Sequence, residues 1–106
     1  MLIDKNSFKH KVLNFAEQIP LGTVVSYGDL AALAGKPGAA RQVGQIAKNG
    51  PENISWHRVV KSDGSLASGF AWGGASEQQR MLEAEGITFT DDKINKFNNV
   101  RYRFDG

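Results

Sequence analysis

Two places in the chain hold most of the side chains able to do chemistry. Ser55-Trp56-His57-Arg58 sets a hydroxyl, an indole, an imidazole and a guanidinium in a row, and Glu85 closes a later helical stretch. An imidazole with a carboxylate is an acid–base dyad, which still needs a nucleophile to act on. The chain contains no cysteine, so disulfides, thiolate metal ligands and thiol nucleophiles are excluded. Read as part of an extended strand, Ser55 is not expected to pair with His57. The two histidines, His10 and His57, lie far apart and suggest no metal site. No cofactor is expected.

A third segment is notable for what its side chains lack. Ala39-Ala40-Arg41-Gln42-Val43-Gly44 surrounds one arginine with small residues. Large side chains on a recognition helix suit the wide major groove of DNA, whereas small ones allow close approach to the narrow minor groove. Arg41 can then enter the base stack and fill the hole left by an extruded base. On the plainer reading the alanines and glycine pack helix on helix and Arg41 is a solvated charge. Trp56-His57-Arg58-Val59-Val60 is open in the same way. It is either core around a satisfied polar network, or a polar pocket floor with an aromatic wall suited to a flat base.

The elements that position these residues follow from pattern. Phe8, Val12, Phe15 and Ile19 recur at helical spacing, predicting an amphipathic helix from Asp4 to about Gln18 that Pro20-Leu21-Gly22 ends. Thr23-Val24-Val25 is a short strand or extended link. Ser26 with Asp29 forms a capping box before a helix from Tyr27 to Ala34. Gly35-Lys36-Pro37-Gly38 turns the chain into a second short helix, Ala39 to Lys48, and the pair has the outline of a helix-turn-helix. Trp56 to Val60 is strand-like, Lys61 to Gly64 a turn, and Ser65 to Ala67 a return strand, together a small hairpin or wing. Ser76 with Gln79 predicts a capping box for a last helix to Glu85, with Gly86 at its C-terminus. Phe89, Ile94, Phe97, Val100, Tyr102 and Phe104 are available for docking the tail.

Taken together, these segments resemble the C-terminal domain of O6-alkylguanine-DNA alkyltransferases, and specifically the alkyltransferase-like proteins. The likeness runs from about Phe8 to Gly86. Its anchors are Ile19-Pro20-Leu21-Gly22-Thr23-Val24-Val25-Ser26-Tyr27-Gly28-Asp29-Leu30-Ala31, Ala39-Ala40-Arg41-Gln42-Val43-Gly44, Ile54-Ser55-Trp56-His57-Arg58-Val59-Val60 and Met81-Leu82-Glu83-Ala84-Glu85-Gly86. The transferases carry Pro-Cys-His-Arg-Val at the third anchor, and their cysteine accepts the alkyl group. Here Trp56 stands in its place while His57 and Glu85 remain, and indole has no atom fit for that transfer.

The resemblance implies a small α/β, mainly α, winged helix-turn-helix domain over residues 1–106. It implies a non-enzymatic sensor that binds O6-alkylguanine in duplex DNA through the minor groove, flips the damaged base and promotes nucleotide excision repair. Arg41 matches the finger filling the vacated stack, and Tyr27 the tyrosine beside the target phosphate that also lines the pocket. Ala39, Ala40 and Gly44, with Ser26 and Lys48, fall on the DNA-binding surface. Trp56, His57, Val59 and Trp72 match the lesion pocket. Arg58, Glu85 and Asn49 are carried over as structural or vestigial. Two features depart from the pattern: Ser55 replaces the usual proline, and the loop from Ser68 to Ala75 is longer and contains Trp72.

Two rivals share parts of this reading. A transcription-type winged-helix DNA binder uses the same scaffold without lesion preference, and a hydrolase could act on a nucleobase through His57 and Glu85. Composition agrees with one globular domain, with 106 residues, 41% hydrophobic, 23% charged and a net charge of +2, a mild bias towards polyanions. Met1-Leu2-Ile3-Asp4-Lys5 lacks the apolar run of a secretion signal, and no stretch is long enough for a membrane span. The expectation is a monomeric cytoplasmic protein whose partners are damaged duplex DNA and excision-repair proteins.

Overall fold

Helix α1 (Phe8–Ala16) starts where the sequence can satisfy its free N–H groups. In the computed structural model, which describes residues 7–66, 70 and 72–104, Ser7 Oγ accepts from the His10 N–H at 3.1 Å. Residues 4–6 of the expected helix lie outside the described residues. Val12 and Ala16 are buried on its inner face, and Ile19 just beyond it is buried too.

The capping box forms as its residues require. Ser26 Oγ accepts from the Asp29 N–H at 3.0 Å, Asp29 returns the bond to the Ser26 N–H at 3.0 Å, and α2 (Tyr27–Leu33) follows. The turn into α3 (Ala40–Lys48) uses Gly35 at φ +96, a left-handed backbone that glycine adopts without strain. Leu30, Ala31 and Ala34 of this pair close on Val43, and Val12, Ala16 and Ile19 complete one core. This is the expected helix-turn-helix.

The strands differ from expectation. Trp56–Arg58 is a 3-10 turn, with the Arg58 N–H on Ser55 O at 2.9 Å, and only Val59–Val60 (β2) is extended. β2 lies parallel to β1 (Val25–Ser26), with Val25 opposite Val59 and Ser26 opposite Val60. Lys61 to Gly64 does turn, with the Gly64 N–H on Lys61 O and the Lys61 N–H on Ser65 O, but the return strand does not form a ladder with β2, and Ser65 bridges Lys93. The antiparallel hairpin is instead β3 (Phe89–Thr90) with β4 (Lys93–Ile94), joined by Asp91 and Asp92, both at positive φ. Short polar side chains tolerate that geometry better than most, and its twist suits a two-residue hairpin.

Helix α4 (Gly74–Ala84) corrects a second expectation. Ser76 lies inside its first turn, and Gly73 at φ +131 is the residue before it, with no side-chain cap. Gly86 at φ +92 ends it as expected, the Ile87 N–H reaching Leu82 O. A one-turn helix α5 (Phe97–Val100) leads into the tail, which docks on the free edge of β1 through Val24 N–H to Val100 O and Tyr102 N–H to Val24 O. Val24, Val60, Leu82, Ile87 and Ile94 form a second core beneath this part. Tyr102 and Phe104 stack edge-on with each other, and Phe104 with Phe15.

Candidate nucleic-acid interface

Helical spacing decides what α3 presents. Arg41, Gly44, Gln45 and Lys48 lie at intervals of three, one and three, and line one open groove of about 520 Å³. A Cβ built on Gly44 would meet nothing within 4 Å, so this glycine leaves a clear outward face rather than a close helix contact. Arg41 is exposed and makes no ion pair among the described residues. The facing wall is Tyr27, Lys61 and Ser62, and the lining holds three cations and no carboxylate. Burial pushes the Tyr27 phenol above its ordinary value, keeping it a neutral hydroxyl.

Behind the groove a narrow throat of about 20 Å³ is lined by Tyr27, Gly44, Ala47, Lys48 and the aromatic rings of Trp56, Phe70 and Trp72. That is room for little more than a water molecule. Next to it an inner cavity of about 410 Å³, itself open to solvent, is bounded by the same three rings with Glu52, Asn53, Ile54, Ser55, His57 and Met81. Groove and throat share Tyr27, Gly44 and Lys48, and throat and cavity share the three rings, so the three spaces lie side by side around these side chains.

The inner wall is held by a polar knot. Glu85 accepts from His57 Nε2 at 2.6 Å, from Arg58 Nε and Nη2 at 3.0 and 2.9 Å, and from the Gly22 N–H at 3.2 Å. Arg58 Nη1 also donates to Ile19 O at 2.8 Å. Burial alone would raise the Glu85 carboxyl, but hydrogen bonds from Arg58, His57 and Gly22 outweigh it and hold it at about 2. An ionised carboxylate only accepts, so His57 Nε2 carries the shared proton. Gln78, buried, donates its amide to His57 O and Val59 O, both at 3.0 Å, and pins the turn from below. Trp56 is 3% exposed, and its Nε1–H donates to Pro51 O at 3.1 Å.

Most of the sequence-predicted residues meet here. Tyr27, Ala40, Arg41, Gly44 and Lys48 share the groove, and Trp56, His57 and Trp72 share the inner cavity. Arg58 and Glu85 form the brace behind it. Four residues lie elsewhere. Val59 is wholly buried in the core opposite Val25, and Ser26 is buried with its oxygen on the Asp29 N–H. Ala39 packs against the core below α3, and Asn49 is exposed, donating to Gln45 O at 3.2 Å to close that helix. Nor does a strand separate Ser55 from His57. Residues two apart on a strand share a face, the segment is a turn, and both line the cavity. What occupies His57 Nε2 is Glu85.

Sequence reasoning missed Gln45, Lys61, Ser62, Phe70 and Gln78. Gln45 was findable, four residues after Arg41 on the same helix face. Lys61 and Ser62 reach the groove only because β2 runs parallel to β1, a long-range pairing with no local signal. Of the loop from Ser68 to Ala75, residues 68, 69 and 71 lie outside the described residues.

Comparison with known proteins follows the same outline. Residues 7–87 match the family model for the 6-O-methylguanine DNA methyltransferase DNA-binding domain. The chain is 41% identical over 85 residues to a DNA base-flipping protein of Escherichia coli, covering 78% of this chain and 64% of that one. It is 35% identical over 94 residues to alkyltransferase-like protein 1 of Schizosaccharomyces pombe, covering 87% of each. The crystal structure of S. pombe Atl1 with damaged DNA containing O6-carboxymethylguanine superposes with a TM-score of 0.80 at 34% identity, over 97% of this chain and 99% of that one. The chain spans less than two thirds of the first-matched curated relatives, and 29% of the longest of these.

Proposed function

The chain belongs to the family of 6-O-methylguanine DNA methyltransferase DNA-binding domains, in its alkyltransferase-like branch, and from this we propose that it is a non-enzymatic sensor of O6-alkylguanine in duplex DNA. The observation that carries the reading is a cation-lined groove set beside an aromatic throat and a cavity whose wall holds Trp56 at the thiol position. Small residues on α3 let the helix enter the minor groove, with Lys48 and Lys61 beside the phosphates. The flipped guanine passes Tyr27 into the cavity, and Arg41 takes its place in the stack. Phe70 and Trp72 must move, because the throat is far smaller than a base. With no thiol the base is bound and not repaired, so the sensor hands the site to nucleotide excision repair. It acts as a monomer in the cytoplasm.

The test is a ratio of dissociation constants for one duplex with guanine or O6-methylguanine at fixed salt, since salt alone changes affinity. The lesion should be bound more tightly. Arg41→Ala should raise the lesion dissociation constant by roughly one to two factors of ten, the worth of a lost stacking plane. A phosphate-only arginine would weaken both duplexes alike, and equal affinity for both in the parent protein would identify a transcription-type binder instead.

A further inference from the structure

Within the segment Ser55 to Arg58, Ser55 is the one residue whose side chain makes no hydrogen bond among the described residues. It sits at the centre of an inverse γ-turn, φ −80 and ψ 64, closed by the Trp56 N–H on Ile54 O at 2.8 Å. That φ lies within proline's range, and the Ser55 N–H donates to no acceptor among the described residues. Nor does the hydroxyl cap the 3-10 turn that follows, the usual local use of such a group. The turn therefore asks for nothing that serine supplies. Ser55 is instead half-buried in the lining of the inner cavity. Trp56 Nε1–H and His57 Nε2–H, from the same lining, are already given to Pro51 O and Glu85, while Glu52 and Asn53 are exposed.

We infer that Ser55 is a specificity-determining residue for the adduct: its hydroxyl hydrogen-bonds O6 substituents that carry a donor or acceptor, and raises their affinity relative to alkyl groups of the same size. The inference rests on the lesion-binding reading and names the adduct class for the same cavity. A serine hydroxyl both donates and accepts, so it serves an alcohol, an amide or a carboxylate alike. Its backbone is held on both sides, by the Trp56 N–H on Ile54 O and by the Arg58 N–H on Ser55 O at 2.9 Å, so the residue is in place before a ligand arrives. Because the cavity is open to solvent, the bond replaces one to water, and its worth is that of a single exchanged neutral hydrogen bond.

The experiment uses one duplex sequence with guanine, O6-propylguanine or O6-hydroxyethylguanine, the two adducts matching in size and differing in one hydroxyl. At fixed salt both adducts should bind more tightly than guanine. In Ser55→Ala and in Ser55→Pro the ratio of their dissociation constants should move about fivefold against hydroxyethyl, the worth of that one bond. Ser55→Thr, which keeps a hydroxyl, should keep the parent's ratio. Denaturant unfolding checks that each variant is folded under the binding conditions. A ratio the same in the parent, Ser55→Ala and Ser55→Pro would overturn the inference and leave the lesion reading standing. So would an equal weakening of both adducts, which marks a purely structural role for Ser55. Failure of both adducts to exceed guanine in the parent would overturn the lesion reading, and this inference with it.

Discussion

The inner cavity has two unlike walls. On one side the turn Trp56–Arg58 is fixed at every residue: the Trp56 indole on Pro51 O, the His57 ring on Glu85, the Arg58 fork on Glu85 and Ile19 O, and Gln78 beneath. On the other, Phe70 and Trp72 come from a loop whose one backbone bond among the described residues is Gly74 N–H to Phe70 O. Trp72 is 39% exposed against 3% for Trp56. Residues that look like an acid–base dyad in the sequence therefore stiffen the fixed wall, and under the proposed function the loop wall is the one that would open for a base. Stability is unevenly spread in this way wherever binding needs opening.

The harshest test of the fixed wall is Trp56→Cys, which restores a thiol where the related transferases have one. Trp56 is core, and a Cβ on Gly50 would lie 2.7 Å from its ring, so the backbone already closes against it. Truncating a buried tryptophan costs about 3–5 kcal/mol. The variant should lose stability on that scale in denaturant unfolding. It should also fail to take label rapidly and stoichiometrically from O6-methylguanine DNA, because a thiol displaced by an ångström already loses about a hundredfold in rate. Rapid transfer by a stable variant would show that the wall tolerates the exchange.

Next in size is Glu85→Gln, which keeps the shape and removes the charge that four donors share. Loss of about 2–3 kcal/mol is expected for a partly buried charged knot. Acid should do the same to the parent protein. The Glu85 carboxyl is held at about 2 against an ordinary 4.5, so its stabilisation is present above that ordinary value and is lost as pH falls towards 2. Unfolding midpoints measured across this window should slope in the parent and in Trp72→Ala, and less steeply in Glu85→Gln, where Asp29 and Asp63 stay lowered. An equal slope in all three would place the acid sensitivity elsewhere, Asp29 with Arg101 being the next such pair.

The two walls were also unequally legible. The capping box at Ser26 and Asp29, the helix α3 and its small-residue face are encoded within a few residues, so local spacing revealed them. The anchors Trp56, His57, Arg58 and Glu85 were singled out by the resemblance, and the hydrogen-bond network around them depends on contacts up to 63 residues apart. The extended reading of Trp56 failed because β-branched Val59 and Val60 follow it, while the turn itself is imposed by the indole's tie to Pro51 and by Gln78. The start of α4 was misplaced because Gly73 and Gly74, read as loop, supply the positive φ values that begin it.

The smallest effect is expected at the loop wall, where it distinguishes motion from mere contact. The two tryptophans report on the two walls separately, Trp56 from the core and Trp72 from solvent. If the flipped base passes between Phe70 and Trp72, lesion DNA should shift the parent's fluorescence maximum to shorter wavelength as Trp72 is covered. The undamaged duplex should do so far less. In Trp72→Phe only Trp56 remains, and the lesion should then change its intensity without moving its maximum, because its surroundings are already dry. Trp72→Ala should weaken lesion binding by about fivefold, the worth of one aromatic contact of about 1 kcal/mol, with unfolding unchanged. A Trp72 signal indifferent to the lesion would leave the throat closed on that side. The base would then have to displace the wall that Glu85, Arg58 and Gln78 hold, and the contrast between the two walls would be reversed.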